Sequence, residues 1–347
     1  MVPMRDRQGT TPELQRALIW VGLAAGAFLV WHLRMVVVIA FGAILFAIIF
    51  RTIARLIGAW TRLSDGPALT AAVCLVFVLV LGAVWLFGSR ASEQMSDLFQ
   101  HLQTGEKAVV AYLQAHGLKH AAERLNEGTE YILKNSATGF LSTGLHFAEY
   151  AIVLLISALY LAAQPEWYVR GFGKLFGRSA RGDVDEGLEK IGIALRLWLL
   201  GQFIIMAVVG VLSLIAMWLI GLPNPFALAV IAALTEFIPY LGPFIGAVPA
   251  LLAAVTMGFD TIVWTAATYL GIHLLEGYLI APMLQRHFIR IPPALVLIGI
   301  LTWGFLFGTF GVVIATPLTV TVFIAVKLFY VRDTLGERAD IPDKSPL

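Results

Sequence analysis

Residues 235–250 read TEFIPYLGPFIGAVPA, a segment between two apolar runs that combines an acid, three prolines and two glycines where a membrane-spanning helix has use for none of them. Proline removes a backbone donor and disfavours helix in the residue before it, while glycine admits positive φ. The chain is therefore expected to stop its helix and turn at Pro239-Tyr-Leu-Gly-Pro243, with Gly242 supplying the positive φ. The flanking arms, 226–238 and 244–256, are each roughly 20 Å long as helices, short of a hydrocarbon core of ~30 Å. A re-entrant helical hairpin fits these lengths best, and two tilted spans would give the same parity.

The whole chain sits in the same class. Of its 347 residues, 59% are hydrophobic and 13% charged, with a mean hydropathy of +0.84, which points to a polytopic membrane protein. The runs 17–33, 36–50, 69–87, 149–163, 197–220 and 261–280 approach the ~17–25 residues that a spanning helix needs. The lone cysteine, Cys74, excludes an internal disulfide and reads as a small core residue. Arg5, Arg7 and Arg16 precede the first run in the manner of a signal peptide, but a second run follows almost at once, which argues for a retained helical hairpin.

Charge sets the expected topology. With the N-terminus in the cytoplasm, Arg51, Arg55 and Arg62 fall inside, as the positive-inside bias requires. The polar stretch 89–142 then lies outside as short amphipathic helices, and 164–195 returns as a cytoplasmic connector carrying Arg170, Lys174, Arg178 and Arg181. The acids Asp183, Asp185 and Glu186 suit the first turn of a helix there. Arg286, His287 and Arg290 mark the next cytoplasmic turn. A second break, Gly308-Thr-Phe-Gly311, separates the arms 294–307 and 312–329, and the tail 332–347 is again cytoplasmic. The expected fold is thus one all-α polytopic transmembrane domain, 1–347. It has about eight membrane helices, including two broken or re-entrant hairpins of opposed orientation.

Several polar groups fall inside the apolar runs. Glu236 and Tyr240 are one helical turn apart beside the proline break, and an intramembrane carboxylate usually faces protein or a water-filled path. The alternative for Glu236 is a group that caps the broken backbone. His273 and Glu276 share a helix face, where they could relay protons or lock two helices together. Gly242-x-x-x-Gly246 and Gly304-x-x-x-Gly308 allow close helix packing. His116 and His120 are four apart but lack the glutamate of a metallopeptidase helix, so no metal site is expected. No nucleophile elbow, P-loop or dinucleotide fingerprint occurs, so neither an enzyme, a cofactor nor an ATP-driving module is expected, and nothing points to nucleic acid.

At these residues the chain resembles the AI-2E family of bacterial permeases. The resemblance rests on Gly201-Gln202, Phe237-Ile-Pro-Tyr-Leu-Gly-Pro243, Glu276-Gly277 through Pro282, Pro293, and Phe307-Gly308 with Gly311 through Pro317. Tyr278 stands where many members have asparagine. The resemblance implies a multi-pass inner-membrane protein that moves small solutes, with signal export in some members and sodium/proton antiport in others, and it allows for a homo-oligomer among membrane lipids. Gln202, Glu236, Tyr240 and Glu276 then become the expected solute or ion path. Pro239, Gly242, Pro243, Gly308, Gly311 and Pro317 are the expected hairpin breaks. A scaffold that binds a partner through 89–142 is the expectation of another class.

Overall fold

The structure, a computed structural model, describes residues 31–78, 149–178, 180–280 and 291–337, with isolated positions outside these ranges. All elements among the described residues are helical. In chain order they are α1 (Arg34–Thr61), α2 (Asp65–Val78), α3 (Glu149–Ala163), α4 (Pro165–Gly173), α5 (Arg181–Ile220), α6 (Pro225–Thr235), α7 (Gly242–Val255), α8 (Phe259–Leu275), α9 (Pro293–Val313) and α10 (Ala315–Ala325). Two of them run on as π-helix: α8 through Glu276–Ile280 and α10 through Val326–Arg332.

Four of these elements are long and apolar enough to cross a membrane: α1, α5, α9 and α10 with its extension, Ala315–Arg332. A fifth is added if α3 and α4, which meet at 88°, form one bent span. The expected eight cannot be counted among the described residues alone. The apolar helices α2, α6 and α7 are short, and α6 at 11 residues is only about 16 Å long. The run 17–33 and the second half of 69–87 lie mostly outside the described residues, as does most of 89–142. Within 164–195, residues from Arg181 onward form the start of α5, which continues unbroken for 40 residues or about 60 Å.

Small side chains bring the helices together. Ala43, Ala47 and Phe50 of α1 pack on Ala158 and Ala162 of α3, and Arg51 Nε donates to the Ala162 carbonyl at 2.8 Å. Large apolar residues such as Phe305, Leu301 and Trp218 point outward instead, as a surface in contact with lipid requires. Cys74 also lies on the exposed side, contrary to its reading as a core residue. At one end of the bundle Arg332 grips Glu186 with two hydrogen bonds of 2.6 and 3.0 Å, tying the end of α10 to the start of α5.

Both sequence breaks are present, with altered details. Helix α6 ends at Thr235, four residues before Pro239, whose ring would collide with that carbonyl in a continuing helix. The chain turns over 236–241, and the positive φ falls on Tyr240 at 67°, not on Gly242. Gly242 begins α7 and is required by proximity: a Cβ there would run into the Thr235 carbonyl, and one at Gly246 would come within 3.0 Å of Ala232 Cα. Helices α6 and α7 thus fold back on each other as an antiparallel hairpin. In the second pair Gly308 breaks the helix with φ 68° and ψ −150°, one short helical turn follows, and α10 starts only after Ile314. Gly311 serves close approach to the Trp303 carbonyl. Pro317 is not a break but a buried residue in the first turn of α10, where a missing N–H goes unnoticed. Across this hairpin Trp303 Nε1 donates to Thr319 Oγ1 at 3.1 Å.

Gly308 occupies a backbone region open essentially to glycine alone, and no atom lies near enough to crowd an added Cβ. Gly308→Ala should therefore cost about 1–3 kcal/mol from backbone strain alone. A lowered apparent melting temperature in detergent checks this, with Gly271→Ala in the interior of α8 as a control that leaves it unchanged or slightly raised.

Candidate functional site

A helix that ends inside apolar surroundings leaves carbonyls without partners, and the tip of the first hairpin shows how they are met. Gln202, buried on α5, donates from Nε2 to the Glu236 carbonyl at 2.7 Å. The Tyr269 hydroxyl on α8 donates to the Gly246 carbonyl inside α7 at 2.9 Å, a bond that ties these two helices together rather than one that meets a freed carbonyl. Phe237 packs edge-on against Trp198 of α5, with ring centroids 5.7 Å apart. The same apolar cluster contains Phe307 and Ile314 from the second break, so the tips of both hairpins meet beside α5.

Next to the first tip, α5, α6, α7 and α8 enclose a small cleft lined by Ser213, Ala232, Glu236, Gly246, Tyr269 and Glu276. Its interior has room for about one water molecule or a bare monovalent cation. Glu236 is 2% exposed, and it and Glu276 both line the cleft. His273 Nδ1 lies 3.4 Å from Glu276 Oε2 and its ring rests against Phe244. Ser213, fully buried, has a hydroxyl with no hydrogen-bond partner among the described residues. No group of three or more His, Cys, Asp or Glu side chains that could hold a metal ion occurs among the described residues.

The structure thus brings Glu236, Glu276 and His273 together. Tyr240, exposed at 38% in the turn, does not line the cleft. Gln202 does not line the cleft but holds the Glu236 backbone. Glu276 begins the π-helical turn, a distortion common at functional sites, and Tyr278 within it points outward at 81% exposure. His116 lies outside the described residues, and His120 is an exposed side chain 3.4 Å from Glu123.

Ser213 and Tyr269 are the cleft residues that the sequence reading missed. Both were within reach of periodicity. Positions 202, 209 and 213 fall on one helical face, as do 269, 273 and 276, so each missed residue continues a stripe already marked by a polar group.

The sequence matches the model of the AI-2E family transporters over residues 18–330. The chain belongs to that family. Relatives include the putative transport protein YrrI of Bacillus subtilis, 25% identical over 74% of this chain and 77% of its own. The AI-2 transport protein TqsA of Escherichia coli is 23% identical over 75% of this chain and 78% of its own. A putative transport protein of Thermotoga maritima is 26% identical over 59% of this chain and 61% of its own. As an AI-2E family member with several apolar helices of spanning length, the chain is a multi-pass membrane transport protein.

The tether geometry has a measurable consequence. Gln202→Leu leaves the Glu236 carbonyl buried and unpaired, which should destabilise the protein by about 1–3 kcal/mol. Thermal unfolding in detergent, compared with Gln114→Leu at a helical position outside the bundle contacts, is the check.

Proposed function

We propose that this AI-2E family member is a secondary transporter of the bacterial inner membrane that moves a small solute past the paired tips of two re-entrant hairpins. The Glu236–Glu276 pair carries the coupling proton or monovalent cation. In this reading the chain has about eight membrane helices, both termini are cytoplasmic, and the hairpins enter from opposite sides. The attachment of α6 to the far end of α5 and the grip of Arg332 on Glu186 at its near end support that opposition.

The observation that carries the reading is that two acidic side chains, buried Glu236 and partly buried Glu276, line one small cleft beside a broken helix. Two carboxylates lining so small a cleft repel unless a proton or cation offsets their charge. A site of this kind binds or releases a positive charge when either wall moves, which is the differential interaction that coupling requires. Ser213 supplies a free hydroxyl oxygen on the third side. His273 borders Glu276 and is placed to pass a proton onward. The solute is a small organic molecule, and the name of the relative TqsA supports an autoinducer-2-like signal as one candidate cargo.

The size of the cleft favours a second reading, sodium/proton antiport, in which the cation is itself the cargo. Proteoliposomes separate the two. With a panel of small solutes and an imposed pH or sodium gradient, Glu236→Gln should reduce coupled flux at least about tenfold. Sodium-dependent proton movement without any solute, lost in the same variant, selects antiport. Flux and ion dependence unchanged in both Glu236→Gln and Glu276→Gln would overturn both readings. Activity lost on deletion of 89–142 with both variants silent would leave the scaffold.

A further inference from the structure

Helix α4 leaves the bundle at a right angle, and its sequence explains the departure. Pro165 has no N–H to continue the bonds of α3 and pushes the residue before it out of the helical region, so Gln164 takes φ −135° and ψ 59°. The two helices meet at 88°. Helix α3 packs along α1, which is of spanning length, through Ala158 and Ala162, and Arg51 holds the Ala162 carbonyl at the end of α3. A helix turned by 88° from one that follows a span lies in the plane of the membrane, at the level where α1 carries Arg51, Arg55 and Arg62.

The side chains of α4 divide as such a position demands. Backbone hydrogen bonds carry its turns on to Phe176, and at about 100° per residue Tyr168, Phe172 and Phe176 share one face with Val169 and Leu175, while Glu166, Arg170 and Lys174 share the other. Phe172 is 48% and Leu175 79% exposed, and the rings of Phe172 and Phe176 lie 5.4 Å apart. The helix rests on α5 at Gly173, where an added Cβ would come within 2.6 Å of Asp185 Oδ1, and this leaves the aromatic face uncovered. Trp167, also exposed, stands at the border of the two faces, a place where indoles meet lipid headgroups. Over 165–178 the bases Arg170, Lys174 and Arg178 outnumber the one acid, Glu166. An apolar face edged with bases is complementary to an acidic bilayer surface: the rings enter the acyl boundary and the cations stay among the phosphates. We infer that the segment 165–178, α4 with the turn after it, lies in the plane of the bilayer surface and binds acidic phospholipid headgroups. Such a contact requires only that the chain cross a membrane, and it stands apart from the Glu236–Glu276 pair.

The test attaches a nitroxide at Phe172→Cys or at Lys174→Cys in the full-length protein carrying Cys74→Ser, reconstituted in phosphatidylcholine nanodiscs with and without phosphatidylglycerol. Power-saturation EPR compares collision with oxygen, which dissolves in lipid, against collision with a neutral nickel chelate, which stays in water. Oxygen should prevail at 172 and the chelate at 174. Phosphatidylglycerol should raise the oxygen-to-chelate ratio at 172 by about twofold or more, since each basic side chain near an acidic surface strengthens binding by about fivefold. Lys174→Gln combined with Arg178→Gln should abolish that rise. Oxygen prevailing at both positions means that α4 completes a bent span with α3, and the chelate prevailing at both means that it stands off in water. Protection of 172 from both reagents means that a second copy of the chain covers the face. Any of these three outcomes, or a ratio at 172 indifferent to phosphatidylglycerol, would overturn the inference. If Phe172→Cys does not fold, Leu175→Cys on the same face decides.

Discussion

Where a helix ends among apolar side chains, its last carbonyls need partners, and the tip of the first hairpin is built around that need. Gln202 from α5 and Tyr269 from α8 each spend their one long polar side chain on a carbonyl of the first hairpin. Those two bonds tie the first hairpin to α5 and α8, whose side chains line the cleft together with Glu236. The break and the cleft are thus linked through the backbone of Glu236, which Gln202 holds while the Glu236 side chain lines the cleft.

Close approach makes the tethers reachable. Gly242 and Gly246 let α7 lie against Ala232 and Thr235 with no side chain between, and alanines do the same work where α1 meets α3. Bulk is reserved for the place where the two hairpin tips meet, with Trp198, Phe237, Trp303 and Phe307 in a single apolar cluster. Small residues thus set distances within each hairpin, and aromatic rings set the contact between them.

The class and the location of both breaks were legible in the sequence because each rests on a local rule. Pro239 forbids helix four residues before it wherever it stands, and apolar run lengths report on spanning without reference to neighbours. What was not legible depends on contacts across the chain. Gly242 was assigned the positive φ by propensity, yet packing against the Thr235 carbonyl claims it, and Tyr240 takes the strained position instead. The π-helical turn at Glu276 has no composition signal, and Pro317 reads as a breaker in isolation although it sits quietly in a first turn. Ser213 was one hydroxyl in a long apolar run, and only the face it shares with Gln202 distinguishes it.

Helix α5 touches every part of this arrangement: Glu186 at one end, Arg196 and Trp198 below the middle, then Gln202 and Ser213, and finally the loop into α6. Because it is unbroken, it behaves mechanically as a rigid lever. A lever pivoting near its centre moves its two ends in opposite senses, so a tilt that draws the Glu186 end inward necessarily swings the Ser213 end outward. Opposite motions on the two sides of a membrane then require no signal passed from residue to residue, only the stiffness of one long rod.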